Sequence, residues 1–251
     1  MKITVITVCY QSAATLADCI QSVAGQEYEN LEHWLIDGAS TDGSQDLIQS
    51  LEHDRLRWIS EPDEGLYHAM NKGLGRATGD IVGFLNADDV FDHPTVLQEV
   101  AEAFAEPEVQ AAYADLCYVD PEDFSKVQRY WRAEPFEPGM FRRGWMPPHP
   151  TFYARKSVYE EHGNFDTHYR FGADWDLLMR LFEKAKIETR YVPSTWVRMR
   201  TGGVTNRSLK NVLRNNWECL RAFSRNGLSP EPLFLVHKLT HRLKQFVARE
   251  N

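Results

Sequence analysis

Two adjacent carboxylates, Asp88 and Asp89, follow the apolar run Ile81-Val82-Gly83-Phe84-Leu85. A buried strand needs the apolar residues and has no use for the acids. Ligands of open α/β sheets bind beyond the carboxyl ends of the strands. Two acids emerging there suit a hard divalent cation, which in turn holds phosphate. The same pair also fits a loop, or the cap of a helix beginning near Pro94. A second acidic pair, Asp174 and Asp176, opens an amphipathic segment led by Gly172. One of these carboxylates can act as a general base supported by the other, or Asp174 can simply cap the helix. Asp37 ends the run EHWLID and precedes GASTDGS, whose small residues let a ligand approach the backbone while Asp37 accepts hydrogen bonds from a base or ribose. For Asp63 and Lys72, helix capping and a solvated surface charge are the ordinary readings. His149, alone in MPPHPTFY, reads as structural more than catalytic.

These residues need strands and helices to carry them. Ile3–Cys9 reads as a strand covered on both faces, followed by a helix capped by Ser12 with Leu16, Ile20 and Val23 inward. Glu32–Asp37 gives a second strand and completes a βαβ unit. Leu56–Ile59 gives a third strand, and a helix starting near Asp63 follows with Leu66, Met70 and Leu74 on one face. After the fourth strand, Pro94 opens a helix with Leu97, Val100, Ala101 and Phe104 inward. Tyr113–Val119 and Val127–Trp131 form strands about a turn at Pro121-Glu122-Asp123. The helix at Asp174 buries Trp175, Leu178, Met179 and Phe182, and Thr195–Met199 is the last strand. Gly202-Gly203 then reads as a hinge near Arg198, Arg200 and Arg207, either closing on phosphates or serving as a connector. Two helices end the chain. Leu209, Val212, Leu213, Leu220 and Phe223 mark the first, and Glu231–Glu250 forms the second, with Leu233, Val236, Leu239, Leu243 and Val247 apolar. The fold class is therefore α/β, a central, mostly parallel sheet flanked by helices, with a C-terminal helical extension.

With 251 residues, 43% apolar and 12% aromatic, the chain buries a full core. The first strand is not followed by GxGxxG, which argues against a dinucleotide-dependent dehydrogenase. Cys9, Cys19, Cys117 and Cys219 have no CxxC spacing and read as packing residues. No run reaches 18 apolar residues and MKITVITVCY carries no cleavage site, so a cytoplasmic protein is expected. The net charge of −8 is uneven. Residues 201–251 hold nine Lys or Arg against three acids, leaving −14 on the first 200 residues. The acidic body disfavours nucleic acid, while the basic tail suits a polyanionic neighbour such as an anionic membrane surface at the inner face of the plasma membrane. Packing against the domain, or against a second subunit in a homodimer, is the commoner fate of such a helix.

The order of six motifs is similar to that of a family 2 glycosyltransferase with the nucleotide-sugar-binding GT-A fold. They are VITVCYQSAATL, DGASTDGS, SEPDEGLYHAMNKG, FLNADD, GADWDLLMRL and GGVTN. The likeness covers roughly residues 1–206, divided into a nucleotide-binding half (1–110) and an acceptor half (111–206), with 207–251 as a basic helical extension. It is strongest to bacterial members that build exopolysaccharide, lipopolysaccharide or colanic-acid repeat units. The resemblance implies an inverting, Mn²⁺- or Mg²⁺-dependent enzyme that moves a sugar from a nucleotide donor, most often a UDP-sugar, to a saccharide or lipid-linked saccharide acceptor. It further implies that Asp37 contacts the nucleobase beside the backbone of Val8 and Tyr10. Asp63 lies near base or ribose, with Asn71 and Lys72 also on the donor side. Asp88 and Asp89 are the metal-binding acids, Asp88 or its neighbour also reaching the ribose, and Asp174 is the general base. Two positions depart from the family pattern: Asn86 stands where many relatives have Asp, and Ala173 where many have Glu. A nucleotidyltransferase would have a Gly-rich basic loop after the first strand, and Tyr10-Gln11-Ser12-Ala13 is not one. A scaffold that has lost its chemistry would lack Asp88, Asp89 or Asp174, and all three are present.

Overall fold

A computed structural model describes residues 1–202 and 208–248 of the chain. The β-branched run Ile3–Cys9 forms β1, fully buried along its length, and Leu31–Asp37 (β2), Leu56–Ser60 (β3) and Ile81–Phe84 (β4) lie parallel to it in the order β3-β2-β1-β4. The helices Leu16–Ala24 (α1), Ser44–Ser50 (α2) and Leu66–Arg76 (α3) make the crossovers. The order of strands reverses between β1 and β4, so a crevice opens beyond their carboxyl ends. Asp89–Phe91 (β5) and helix Val96–Ala103 (α4) follow.

The second half of the sheet is mixed. Ala111–Val119 (β6) pairs antiparallel with Val127–Trp131 (β7) and Tyr153–Arg155 (β8), and parallel with the long strand Thr189–Arg200 (β9). Strand β8 joins the two halves by pairing antiparallel with β4, and β5 closes the far edge on β9. Gly83 is required where β4 passes β8, because a Cβ there would lie 2.2 Å from the Tyr153 ring. Helices Lys156–His162 (α5), Ala173–Met179 (α6), Leu209–Arg225 (α7) and Phe234–Lys244 (α8) complete the chain, and a π-helical turn, Arg180–Ala185, extends α6. All four cysteines are free and buried, as packing residues should be.

Several local expectations are corrected. Ser12 does not cap a helix with its side chain; its carbonyl accepts from the N–H groups of Thr15 and Leu16, so α1 begins at Leu16. Helix α3 begins at Leu66 after Gly65, not at Asp63, and Leu66 faces solvent. Asp88-Asp89 starts neither a helix nor a plain loop, since Asp89 enters β5 and pairs with Met199. Strand β9 starts six residues earlier than Thr195 because its first part continues the β6 ladder. The expected helix Glu231–Glu250 is shorter, Phe234–Lys244, and of its expected apolar positions Leu233, Val236, Leu239, Leu243 and Val247 are all exposed.

His33, inside the β1–β2 layer, gives the fold a pH dependence. It is fully buried with Nε2 2.9 Å from Thr7 Oγ1, and desolvation lowers its pKa from 6.5 to about 3. The unfolded chain then binds the proton more readily throughout that interval, so stability is retained above pH 6.5 and lost as pH falls. From pH 7 to 5 this residue should remove roughly 2 kcal/mol. Urea unfolding of wild type and His33→Leu at both pH values checks it: the leucine variant should lose that slope.

Candidate active site

The carboxyl ends of β1 to β4 bring four loops into one row. The backbone is strained there: Gln11 after β1 and Ala39 after β2 have φ of 52° and 61°, in the left-handed region that side chains disfavour. The loops hold each other in this state. Gln11 N donates to Ser40 Oγ at 2.8 Å, and Thr41 N donates to Gln11 Oε1 at 3.2 Å. Asp37 lies under the second loop, fully buried, and its Oδ2 accepts from Ser40 N (3.0 Å) and Ser60 Oγ (2.6 Å) while Oδ1 faces the Cys9 thiol. Val8 is buried in register with Ile36, and Tyr10 projects into solvent. Gly38 leaves room between them: a Cβ there would lie 3.2 Å from the Tyr10 ring and 3.6 Å from Asp63 Oδ2. Tyr10, Gly38 and Asp63 thus form one cradle.

Asp63 is the charged member of that cradle. Its Oδ1 receives Lys72 Nζ at 2.7 Å and lies 3.3 Å from His68 Nδ1, whereas its buried Oδ2 has no hydrogen-bond partner within the protein. A buried carboxylate oxygen left unpaired is costly, and a donor such as a ribose hydroxyl would satisfy it. Lys72 does not face the crevice as a phosphate ligand. It is tied to Asp63, to Glu61 at 3.0 Å and to the Pro62 carbonyl, and so braces Asp63. Asn71 is likewise occupied elsewhere. Its amide donates to Phe165 O at 2.9 Å and accepts from Phe165 N at 3.1 Å, so it pins a loop instead of touching a cofactor.

After β4, the two acids part. Asp88 is partly exposed and its carbonyl accepts from Arg200 Nη1 at 2.8 Å. Asp89 is fully buried, with Oδ2 accepting from Asn86 Nδ2 at 2.9 Å and Oδ1 unpaired. Burial and the adjacent Asp88 charge push the Asp89 carboxyl well above the ordinary carboxylate range. Such a pair fits a divalent cation, which relieves the repulsion between the two acids. Among the described residues no three His, Cys, Asp or Glu converge on a metal position, so a cation here would draw on this pair and on oxygens from outside the protein. Of the two, Asp88 is the more accessible and Asp89 is fully buried. Arg198 and Arg200 are both engaged by groups of the protein. Arg198 Nε pairs with Asp92 at 2.7 Å, and Arg200 also pairs with Asp18. Gly202 has a φ of 104°, while the remainder of the expected hinge, Gly203 to Arg207, lies outside the described residues.

Asp174 lies in α6 and is joined to α3 through Tyr67. It is not the helix cap, which is Gly172; its Oδ1 accepts from Trp175 N at 2.7 Å and from Tyr67 Oη at 3.3 Å. Tyr67 also donates to Phe171 O at 2.8 Å, and burial beside Asp174 pushes its phenol well above the ordinary value, so it stays a donor. An aromatic run ties this corner to β4: Tyr67 stacks on Phe165, and Phe165 meets both Phe84 and His149 edge-on. His149 is buried and held neutral by desolvation, which lowers its pKa, in keeping with its structural reading. Asp176 does not support Asp174. It points instead to Asn226 Nδ2 (2.9 Å) and Tyr169 Oη, and burial raises its pKa.

Glu218 is the residue missed by motif reading. From α7, its buried Oε2 accepts from the backbone N–H groups of Arg170, Phe171 and Gly172 at 2.8–3.1 Å, and Oε1 accepts from Arg214 Nε at 2.9 Å. One carboxylate thereby fixes the loop that carries Asp174 and satisfies the exposed amides at the start of α6. The only sequence signal was an acid on the otherwise basic α7. Glu218→Ala should lower stability by roughly 3 kcal/mol. Urea unfolding reads that loss, and hydrogen exchange should show the amides of 170–172 losing protection first.

Comparison with known proteins adds four likenesses. The family model for "Glycosyl transferase family 2" matches residues 4–174. A Mycobacterium bovis protein described as a PGL/p-HBAD biosynthesis glycosyltransferase is 33% identical over 183 residues, 72% of this chain and 69% of that one. Among solved structures, the mannosyltransferase PcManGT of Pyrobaculum calidifontis, in complex with GDP-Man and Mn²⁺, is similar over 97% of this chain and 70% of its own, with a TM-score of 0.68 and 22% identity. S. aureus TarS aligns over 98% of this chain with a TM-score of 0.66 and 16% identity, and this chain spans only 43% of its length. The two structures share the GT-A fold with this chain.

Proposed function

Since this chain belongs to glycosyl transferase family 2, and is a glycosyltransferase of GT-A fold, we propose that it transfers a sugar with inversion from a nucleoside-diphosphate donor to a hydroxyl of a saccharide or lipid-linked saccharide. The observation that carries this reading is the row of carboxylates beyond the ends of β2, β3 and β4, with Asp174 joined to the helix after β3 through Tyr67. Base and ribose lie in the Tyr10–Gly38–Asp63 cradle, with Asp63 Oδ2 accepting from a sugar hydroxyl and Asp37 shaping the base pocket from beneath. Asp88 would hold Mn²⁺ or Mg²⁺ against the diphosphate, with Asp89 buried next to it. Bound there, the cation supplies neutralisation of the charge that builds on the leaving oxygen.

Asp174 supplies the opposite half of the chemistry. Held through Oδ1 by Tyr67 and the Trp175 amide, its carboxylate takes the proton of the acceptor hydroxyl as that oxygen attacks the anomeric carbon. The glycosidic oxygen–carbon bond forms while the bond to the diphosphate breaks, and one displacement inverts the centre. UDP is the donor nucleotide of this reading, and PcManGT's GDP-Man makes GDP the alternative to include. The bacterial surface-polysaccharide setting belongs to the same proposal. Incubation with UDP-, GDP- and dTDP-sugars plus Mn²⁺ tests it. Release of one nucleoside diphosphate, with an initial free sugar of inverted anomeric configuration by NMR, supports the reading; a retained configuration refutes the mechanism.

A further inference from the structure

Large apolar side chains are distributed unevenly over the surface. Of fourteen that are exposed among the described residues, eleven lie between Leu209 and Val247. They are ordered. On α7, Leu209, Leu213, Trp217 and Leu220 follow a spacing of four, four and three, forming one stripe, with exposures of 83, 70, 57 and 37%. The opposite side of the same helix buries Glu218, Cys219, Ala222 and Phe223 against the domain. On α8, Leu235, Leu239 and Leu243 make a second exposed stripe. The helices run antiparallel, because Phe223 meets Phe234 while Lys238, one turn on, reaches back to Cys219 and Asn216. At 3.6 residues per turn, each stripe lies about a quarter turn or more from this contact line, and antiparallel pairing turns both to the same side.

Cations border these stripes. Lys210 and Arg221 are exposed beside the α7 stripe, with the Arg221 guanidinium 5.4 Å from the Trp217 ring, and Arg242 and Lys244 lie on either side of the α8 stripe. Long basic side chains next to an exposed apolar face, with a tryptophan among them, match a helix pair lying in the headgroup region of a bilayer. No described helix is long and apolar enough to cross one. A symmetric dimer through the same face would bring the two cation rows together, and the remaining 200 residues carry −14, so they repel an anionic surface and leave this face to approach it.

We propose that the α7–α8 face docks on an anionic lipid bilayer, with the two apolar stripes at acyl depth and the flanking Lys and Arg at the phosphates. The inference does not depend on which sugar is transferred. Sedimentation of the full chain with phosphatidylcholine vesicles, with and without a third phosphatidylglycerol, tests it. The expected result is at least tenfold tighter partitioning to the anionic vesicles, a clear loss at 0.5 M salt, and a tenfold loss in Leu213→Glu/Leu239→Glu. Circular dichroism of that variant checks folding, and Lys210→Glu/Arg221→Glu, which keeps the apolar stripes, should lose the anionic preference in any event. Equal binding to both vesicle types, no binding, or unchanged binding by the folded variants overturns the proposal. So does light scattering that finds a dimer in wild type and a monomer in Leu213→Glu/Leu239→Glu, which would assign the face to a second copy.

Discussion

Asp174→Asn should abolish sugar transfer, with turnover falling by about 10³-fold, while nucleotide affinity stays within about twofold of wild type. The substitution keeps the shape of the side chain and an oxygen for Tyr67 and the Trp175 amide, so the loop before α6 keeps its place. It removes only the ability to accept a proton. If Asp174 acts on the acceptor hydroxyl, the loss appears in turnover; if it were only a structural residue at the start of α6, turnover would fall little and stability would change instead. Tyr67→Phe provides the companion measurement. Losing one hydrogen bond to the carboxylate should reduce turnover about tenfold, far less than losing the carboxylate. Single-turnover rates for the three proteins, with calorimetric nucleotide affinities beside them, separate the two roles.

Asp88→Asn should remove the metal-dependent part of nucleotide binding, whereas Asp89→Asn should weaken it by about 10–100-fold without removing it. The contrast follows from where the two side chains sit. Asp88 is partly exposed and is steadied through its carbonyl by Arg200; Asp89 is fully buried and bonded to Asn86. A direct ligand cannot be replaced by an amide without losing charge at the cation. A buried neighbour contributes through its field and through the position of the loop. Titration of nucleoside diphosphate at several Mn²⁺ concentrations distinguishes the outcomes, because only loss of the direct ligand makes the heats independent of metal. Equal effects of the two substitutions would place both carboxylates on the ion.

Much of this arrangement was legible in the sequence because it resides in strand ends. The run ITVITVC, the EHWLID segment and IVGFL are each apolar up to an acid or a small-residue loop, and parallel pairing puts those ends side by side. Asp37, Asp63, Asp88 and Asp174 could therefore be placed from local pattern and motif order. Roles that depend on contacts across the chain could not. Asn71 and Lys72 lie in the motif of α3, yet Asn71 bonds Phe165, 94 positions away, and Lys72 braces Asp63. Arg200 likewise carries a charge that suggests phosphate and spends it on Asp18 and the Asp88 carbonyl. Glu218 shows the converse, since nothing near it in sequence indicates that it caps the Arg170–Gly172 loop. The α7 and α8 periodicities were readable, but whether those apolar stripes were covered was a question of tertiary packing, which periodicity alone does not answer.

In the proposed reaction a nucleotide binds beside Tyr10, Asp63 and Asp88 through a divalent cation. Calorimetric titration of the wild-type chain with UDP, GDP and dTDP, each with Mn²⁺ and with chelator, is the decisive measurement. Saturable binding of one of these nucleotides that disappears with chelator is expected. Folded protein that binds none of them in Mn²⁺, or binds one equally well in chelator, rules out metal-dependent nucleotide binding at this site.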